Sequence, residues 1–569
     1  MTVNALPPPL PATTTVLIVG GGPVGLIGSL LLTQLGIDHV IVERRTEVQS
    51  APAAHVVNAR TFEILRAAGV DMRHVEAACQ PVDEGRWVRW VTTLAGQELG
   101  RVPFERHDRI DELDSITPTP LRNLSQPRIE AILRDHVPEL RVGLEWVDDV
   151  VTPEGIVSSL AIVGSDETVT ITSRYVIAAD GAGSRLRAHH GIEMVGPDVL
   201  QNFLMIHGEV DLRLVVGDRL ATLYWTLDPE SRGCFIAHDV ERTWVYMLEW
   251  DPSSESLEDY PEERCAEIFA HAAGVSDLAV TIKNIRPWKM TMQIAERYRE
   301  GGVFLAGDAA HRFPPSGGLG LNSGAADIHN LVWKLAAVID GWAPDALLDT
   351  YGPERQKVAE INATKSLENA LRMIEVYLAA GLADTHEATV EGFERALSTD
   401  EGLAAIERAA MDQAEHFDML GLQLGFAYSA DDGLVADDGF APMPVENVVR
   451  DYVPSTQPGG RMPHAWIEKD GRRISTLDLI GTDHVTLVTS SPLWAEAGRR
   501  ASGRLVPLVV AEFGVDVVDE GGWDAVARLG ADGVVLVRPD GHVLWRSLNL
   551  TPDLGRSLDE ALSLLTADR

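Results

Sequence analysis

Cysteine is nearly missing from this chain. Cys79, Cys234 and Cys265 are the three it has, and none has a neighbour at C-x-x-C spacing. That excludes a disulfide framework, a cysteine zinc site and a flavin-linked cysteine pair, and it fits a reducing cytoplasm. Basic residues are also outnumbered: Lys and Arg total 48 against 85 Asp and Glu, a formal net charge of −37. Such a surface repels phosphates and anionic lipid, so neither nucleic acid nor membrane is expected as a partner. No apolar run approaches the roughly 20 residues of a membrane span. Residues 1–13 are proline-rich, with neither a basic region nor an apolar core, and read as a flexible leader rather than a signal peptide.

What is present is enough apolar sequence for several cores. At 569 residues and 45% hydrophobic content, two to four domains are expected. The run Val16 to Val19 reads as a buried parallel strand. Gly20, Gly22 and Gly25 follow at G-x-G-x-x-G spacing, with Pro23 and Val24 between them, and a helical pattern starts at once. A second strand, His39 to Val42, ends in Glu43, about 20 residues on, where a ribose hydroxyl would be met. Glycines for a tight turn, close phosphate approach and a free helix N-terminus define a dinucleotide site. This is the only such fingerprint, so a second nucleotide would bind without a domain of its own.

Further along, Thr61 to Ala68 reads as a helix closed by Gly69, and Trp87 to Val91 begins a hairpin that leaves the first domain. Gln126 and Pro127 open another helix. Asp180-Gly181 follows a strand ending at Ala179, and Gly307-Asp308 follows another at Gly302 to Ala306. Residues 201–249 are strand-like, interrupted afterwards by a helix from Pro261 to Ala273. Helices are expected over 325–340, 351–382 and 401–420, a Gly-, Pro- and Asp-rich linker over 429–460, and beyond it a small domain with strands near 484–488, 505–510 and 533–537.

Three of these stretches sit at carboxyl ends of predicted strands, where ligands bind in open α/β sheets. Together, the glycine fingerprint, Asp180-Gly181 and the run from Gly307 through Pro314, Pro315, Gly318, Gly320, Leu321 and Asn322 resemble the flavin-dependent aromatic hydroxylases, single-component FAD monooxygenases of the p-hydroxybenzoate and phenol hydroxylase kind. Asp327, Asn330 to Leu335 and Tyr351 to Arg355 strengthen the resemblance, which covers residues 14–365. It implies an α/β fold. A Rossmann-type FAD-binding domain is expected from 14–80, 126–195 and 285–375, and a substrate-binding β-sheet domain from 81–125 and 196–284. A helical segment at 376–428 and a thioredoxin-like domain at 461–569 complete it, the latter without a cysteine and so without dithiol chemistry.

The resemblance also implies roles. Glu43 would accept from the adenosine ribose and Asp308 from a ribitol hydroxyl. Gly320, Leu321 and Asn322 would offer N–H groups to the flavin edge that becomes negative on reduction. Pro314 would lie beside the isoalloxazine; Gln126, Asp180, Gly181, Arg44 and Arg45 would contact the cofactor. One departure is Ala53, where chlorophenol-hydroxylase-like members carry an arginine; Arg44, Arg45 and Arg60 are candidate replacements. The implied reaction uses NADPH or NADH to reduce FAD, and O₂ to form a flavin C4a-hydroperoxide that hydroxylates a phenolic ring. His55 is the candidate base. Asn123, Tyr224, Trp225, Arg232, Arg242 and Trp288 are candidate substrate contacts, and His311 is expected to be structural. No metal is expected; a homodimer in the cytoplasm is. Baeyer–Villiger or epoxidising chemistry on a polyketide or drug-like substrate, and a non-catalytic FAD-binding protein, remain open alternatives.

Overall fold

The N-terminal apolar run forms the strand Thr13–Val19, buried from Val16 onward, between two parallel neighbours, His39–Glu43 and Thr168–Ala178. The computed structural model describes residues 10–47, 54–137, 140–382, 386–432, 434–436, 438–439 and 443–567. Most of the expected leader, and Ala53, lie outside the described residues. The sheet runs in the order Arg299–Glu300, Val303–Leu305, Thr168–Ala178, Thr13–Val19, His39–Glu43, Leu140–Val142. Chain connections leave Thr13–Val19 in both directions, which opens a crevice at its carboxyl end. Helix Pro23–Gln34 covers one face and packs on helix Leu319–Ile339 so closely that a Cβ at Gly28 would stand 2.8 Å from Ile328 Cγ1.

A second, seven-stranded sheet runs in the order Thr281–Met290, Gln201–Glu209, Thr243–Glu249, Gly233–Asp239, Leu223–Thr226, Trp87–Val91, Glu98–Pro103. Strand Thr281–Met290 runs across the boundary expected at 285, so Trp288 belongs to this sheet. Alternation sorts its side chains. Leu204, Ile206, Tyr224, Phe235, Trp244 and Tyr246 face helix Glu262–Ala273 and pack on its Cys265 and Phe269. Cys234, Ile236 and Val245, with Met205 and Trp225, take the other face, against Met373, Val376 and Phe393 and against Val56 of the first domain.

The last domain has the strand order Leu508–Glu512, Val485–Thr489, Val534–Val537, Val543–Ser547, with one parallel and two antiparallel pairings, and helices Pro492–Ala501 and Leu554–Thr566. This is the thioredoxin-like arrangement expected, and all three cysteines are buried elsewhere. The stretch read as a linker is packed rather than free: Leu434 and Val435 are buried, and its last residue, Gly460, bridges back to Ala427.

The last domain is seated on the first by buried charge. Arg538 reaches both oxygens of Glu354, at 2.5 and 2.9 Å, and also bonds Asp540. Lys334 Nζ and Asn330 Nδ2 each donate to Glu354 Oε2 at 2.7 Å. Beside them Arg461 forks onto Glu63, and Arg60 pairs with Glu63 while donating to the Asp540 carbonyl. Arg60 is therefore committed to the domain junction and is no replacement for a cofactor arginine. Burial raises the Glu354 and Glu63 carboxyls, but Arg538 with Lys334, and Arg461 with Arg60, outweigh it and hold both at about 2.

Two outcomes follow for stability. Arg538→Met leaves Glu354 and Asp540 short of a partner and is expected to cost about 3–5 kcal/mol, read as a lower urea midpoint and faster proteolysis around residues 429–460. The two depressed carboxylates contribute stability fully above their ordinary value of 4.5 and lose it as pH falls toward about 2. The urea midpoint should drop across that window; a flat profile contradicts the assignment.

Candidate active site

Each glycine of the fingerprint has a distinct reason. Gly20 has φ +116°, and a Cβ there would stand 2.1 Å from the Ala179 carbonyl oxygen. A Cβ at Gly25 would stand 1.9 Å from the Gly20 oxygen. At Gly22, by contrast, no neighbouring atom of the described residues lies within 4 Å of that position. Gly22 caps helix Pro23–Gln34 without a side-chain cap, so its first N–H groups look into open space. Such an open helix start is the geometry that suits a phosphate. Glu43 accepts from the Gly21 N–H at 2.7 Å and the Arg45 N–H at 2.8 Å, which holds its carboxylate at the rim of the same crevice. The Arg44 and Arg45 side chains are exposed, and Arg44 lies 3.7 Å from Glu145.

Opposite lies the N-terminus of helix Leu319–Ile339. Gly317 and Gly318 both have positive φ, 101° and 64°, and no side chain caps the helix. Among the described residues nothing lies within 4 Å of a Cβ position at Gly320. The Asn322 side chain is spent on structure: it accepts from Asn58 N and Thr61 Oγ1 and donates to the Val56 and Gly318 carbonyls. Only its backbone remains for a ligand. Val24 wedges between Gly307 and Gly324, where added Cβ atoms would stand 2.9 and 2.6 Å from its Cγ2. Asp308 is exposed by area, yet protein crowds it enough that desolvation raises its carboxyl pKa, as expected of a group lining a cleft. Pro314 is buried and Pro315 exposed in the turn before Gly318. Asp180 Oδ2 caps helix Arg185–His189 through the N–H groups of Arg185 and Leu186, and Gly181 has φ +83°. Asp180 Oδ1 has no partner among the described residues, and burial raises this carboxyl too. Gln126 at its helix start exchanges hydrogen bonds with Ala54, and its Nε2 donates to Glu130.

His55 stands between this crevice and the second sheet. Its Nδ1 lies 3.0 Å from Asn123 Oδ1. Asn123 Nδ2 donates to Gln80 Oε1 at 2.6 Å and to the Ala237 carbonyl at 2.9 Å, which leaves Oδ1 to accept. His55 Nδ1 must then carry the proton, and Nε2 keeps its lone pair. Burial lowers the His55 pKa to about 4 against the raising effect of Asn123, so the ring is neutral at pH 7. His238 packs edge-on to it at 5.3 Å, at an irregularity in strand Gly233–Asp239.

The remaining expected contacts divide. Trp225 is on the sheet face that meets Val56, and Trp288 packs on Phe203 at 5.6 Å. Tyr224 is a correction: neighbouring strand residues point oppositely, and it lies on the far face with its hydroxyl donated to the Arg219 carbonyl. Arg242 is a second correction, an exposed turn residue 3.6 Å from Glu209. Arg232 is paired with Glu249 at 2.7 Å and lies over the Tyr377 ring. Both Asn123 Nδ2 hydrogens are spent on protein, and its Oδ1 meets His55. His238, which packs on His55, Gln80, which holds Asn123, and Thr222, which donates to Gln80, share no motif and are brought together by the fold. His311 is buried and bonded to Asp327, as expected.

A fold with a dinucleotide crevice facing a separate β-sheet defines an FAD-binding oxidoreductase. Residues 13–366 match the FAD binding domain family and residues 455–566 the aromatic-ring hydroxylase C-terminal family. A putative polyketide hydroxylase of Streptomyces halstedii is 34% identical over 510 residues, 88% of this chain and 86% of that protein. A 4-methyl-5-nitrocatechol 5-monooxygenase of a Burkholderia species is 32% identical over 96% of each chain. The flavin-dependent monooxygenase PieE, solved with FAD and substrate, superposes with a TM-score of 0.89 at 33% identity, covering 97% of this chain and 99% of that one. The chain belongs to the FAD-binding aromatic-ring hydroxylases: it is an FAD-dependent monooxygenase that hydroxylates aromatic substrates. No helix among the described residues is long and apolar enough to cross a membrane.

The glycines give a sharp contrast. Gly25→Ala forces backbone apart and should abolish both folding and FAD binding. Gly22→Val has room, so the protein should fold with an unchanged apo melting temperature and bind FAD at least about tenfold more weakly, the size of one lost charge-assisted hydrogen bond. Fluorescence titration with FAD checks both; equal FAD affinity in Gly22→Val contradicts the phosphate seat.

Proposed function

We propose that the substrate is a fused, polycyclic phenol of polyketide type, held flat between the flavin crevice and the second sheet, with His55 receiving its hydroxyl proton. The observation that carries this is the His55 tautomer: Asn123 fixes the proton on Nδ1 and leaves Nε2 as an acceptor. The aromatic pair Phe203 and Trp288, with Trp225 on the same sheet, suits stacking on a planar ring system. Arg232 is already paired and the exposed Arg242 sits at a turn, so neither is placed to clamp a substrate carboxylate. Relatives named as polyketide hydroxylases support the same class.

In this reading Gly22 and the start of helix Pro23–Gln34 hold the FAD pyrophosphate, Glu43 its ribose and Asp308 its ribitol. The start of helix Leu319–Ile339 faces the flavin ring. Bound flavin, reduced by NADPH or NADH, supplies the activated oxygen atom. The protein's own part is to bind the ring, exclude water, and draw the phenolic proton onto His55 Nε2, which raises electron density at the carbon to be hydroxylated. Baeyer–Villiger or epoxide chemistry is not favoured, since neither needs a base at a ring hydroxyl. The homodimer and cytoplasmic setting belong to the proposal; exposed Leu371, Ile374 and Leu378 on helix Tyr351–Ala379 offer an apolar face for a second copy.

NAD(P)H oxidation by the holoenzyme should be stimulated by hydroxyanthraquinones far more than by simple phenols; equal or no stimulation contradicts the polycyclic reading. Protonation of His55 removes its acceptor, so kcat/KM should fall only as pH drops toward about 4. Asn123→Asp places a carboxylate beside Nδ1, and the acid limb should move to higher pH. An unmoved limb contradicts the base.

A further inference from the structure

The geometry points to a site for an imidazole-seeking divalent cation, of the zinc, cobalt or nickel class, formed by Asp149, His189 and His190 and lying apart from the active site. The strand Leu144–Thr152 carries a register shift between Trp146 and Asp148. Strict alternation would send Trp146 and Asp149, three apart, to opposite faces. The irregularity lets both turn inward, each buried, toward helix Arg185–His189. There Asp149 Oδ2 lies 3.1 Å from His190 Nε2, and Asp149 Oδ1 lies 3.5 Å from His189 Nε2. The three ligand atoms are all within 4.8 Å of one another. Metal–ligand bonds of about 2.0–2.1 Å put neighbouring tetrahedral ligands about 3.3 Å apart, and each imidazole has one of the two carboxylate oxygens near that distance.

Proton bookkeeping argues the same way. The Asp149 side chain is only 2% exposed, and among the described residues these two imidazoles are its only hydrogen-bonding or charged partners. His189 has a second carboxylate at its other nitrogen: Asp148 Oδ1 is 3.4 Å from Nδ1. A cation between Nε2 and Asp149 leaves Nδ1–H to donate to Asp148, the usual outer carboxylate behind a metal-bound histidine. Nitrogen ligands favour this class over calcium or magnesium. His189 is 37% exposed at the side chain, which leaves a coordination position for water. The cation would clamp the sheet to the short helix whose start Asp180 caps and whose Arg187 donates to the Ala309 carbonyl at 3.0 Å, so it would stiffen the lip of the FAD crevice.

The test is calorimetric titration of zinc chloride into untagged holoenzyme first stripped with a chelator, with cobalt chloride followed by its visible ligand-field bands. Wild type should take up one equivalent per chain and melt higher in zinc than in chelator. His189→Gln is at a partly exposed position and should fold, keeping its flavin spectrum and its melting temperature in chelator. It should lose the zinc equivalent and the zinc-induced rise. Asp148→Asn should weaken zinc about tenfold. No saturable equivalent in wild type, or zinc binding by His189→Gln as tight as wild type, overturns the site: the histidines are then merely proton donors to a buried carboxylate.

Discussion

Everything in this molecule leans on a layer of buried charge between the first domain and the last. Glu354, Lys334, Arg538 and Asp540 are all shut away from water, with side chains at most 2% exposed. Any one of them alone would be intolerable there. The acids are supplied by both domains and so are the cations, hence neither domain's interior is satisfied until they dock. Lys334 records the balance: burial and Arg538 lower it and Glu354 raises it, leaving it at about 8. For a chain of net charge −37, committing so many of its arginines to one interface is a considerable outlay.

The layer reaches the cofactor crevice through Asp327. Its Oδ1 takes Arg355 Nε at 2.8 Å; its Oδ2 takes His311 Nε2 at 2.6 Å and the Gly307 N–H at 3.2 Å. The turn that presents Asp308 is thus pinned from behind by Asp327 and Arg355, and Arg355, the chain neighbour of Glu354, also bonds the Tyr428 hydroxyl. The last domain, which has no cysteine and so no dithiol chemistry, is thereby tied to that turn. The cysteine-free thioredoxin-like unit acts as a keystone, and its seat is electrostatic and geometric rather than apolar alone.

How much of this was legible beforehand follows from range. The glycine fingerprint, Glu43 and the Gly307-Asp308 turn could be read because their demands are local: a tight turn, a backbone approach, an acid one strand later. Helix Leu319–Ile339 starts six residues earlier than its periodicity suggested, since Gly320 and Asn322 look like loop residues until the fold uses one for space and the other as a tie. Tyr224 and Trp225 are neighbours with opposite fates, decided by which sheet face meets Val56, a fact no local pattern holds. Asn123 stood out as a substrate contact, while its tie to His55 stayed hidden because Gln80 and Ala237, which set its amide, are remote in sequence. The motifs around Asn330 and Glu354 stood out as family signatures while their work, receiving Arg538, stayed hidden until both ends were in place.

The central claim is that this crevice delivers one oxygen atom to an aromatic ring. The most direct measurement is mass spectrometry of the product formed by the FAD-loaded enzyme with NADPH or NADH, 1,8-dihydroxyanthraquinone and ¹⁸O-labelled O₂. A single labelled oxygen in a new ring hydroxyl is the predicted result. A label carried into a lactone or an epoxide, or hydrogen peroxide formed with the ring unchanged, would contradict it.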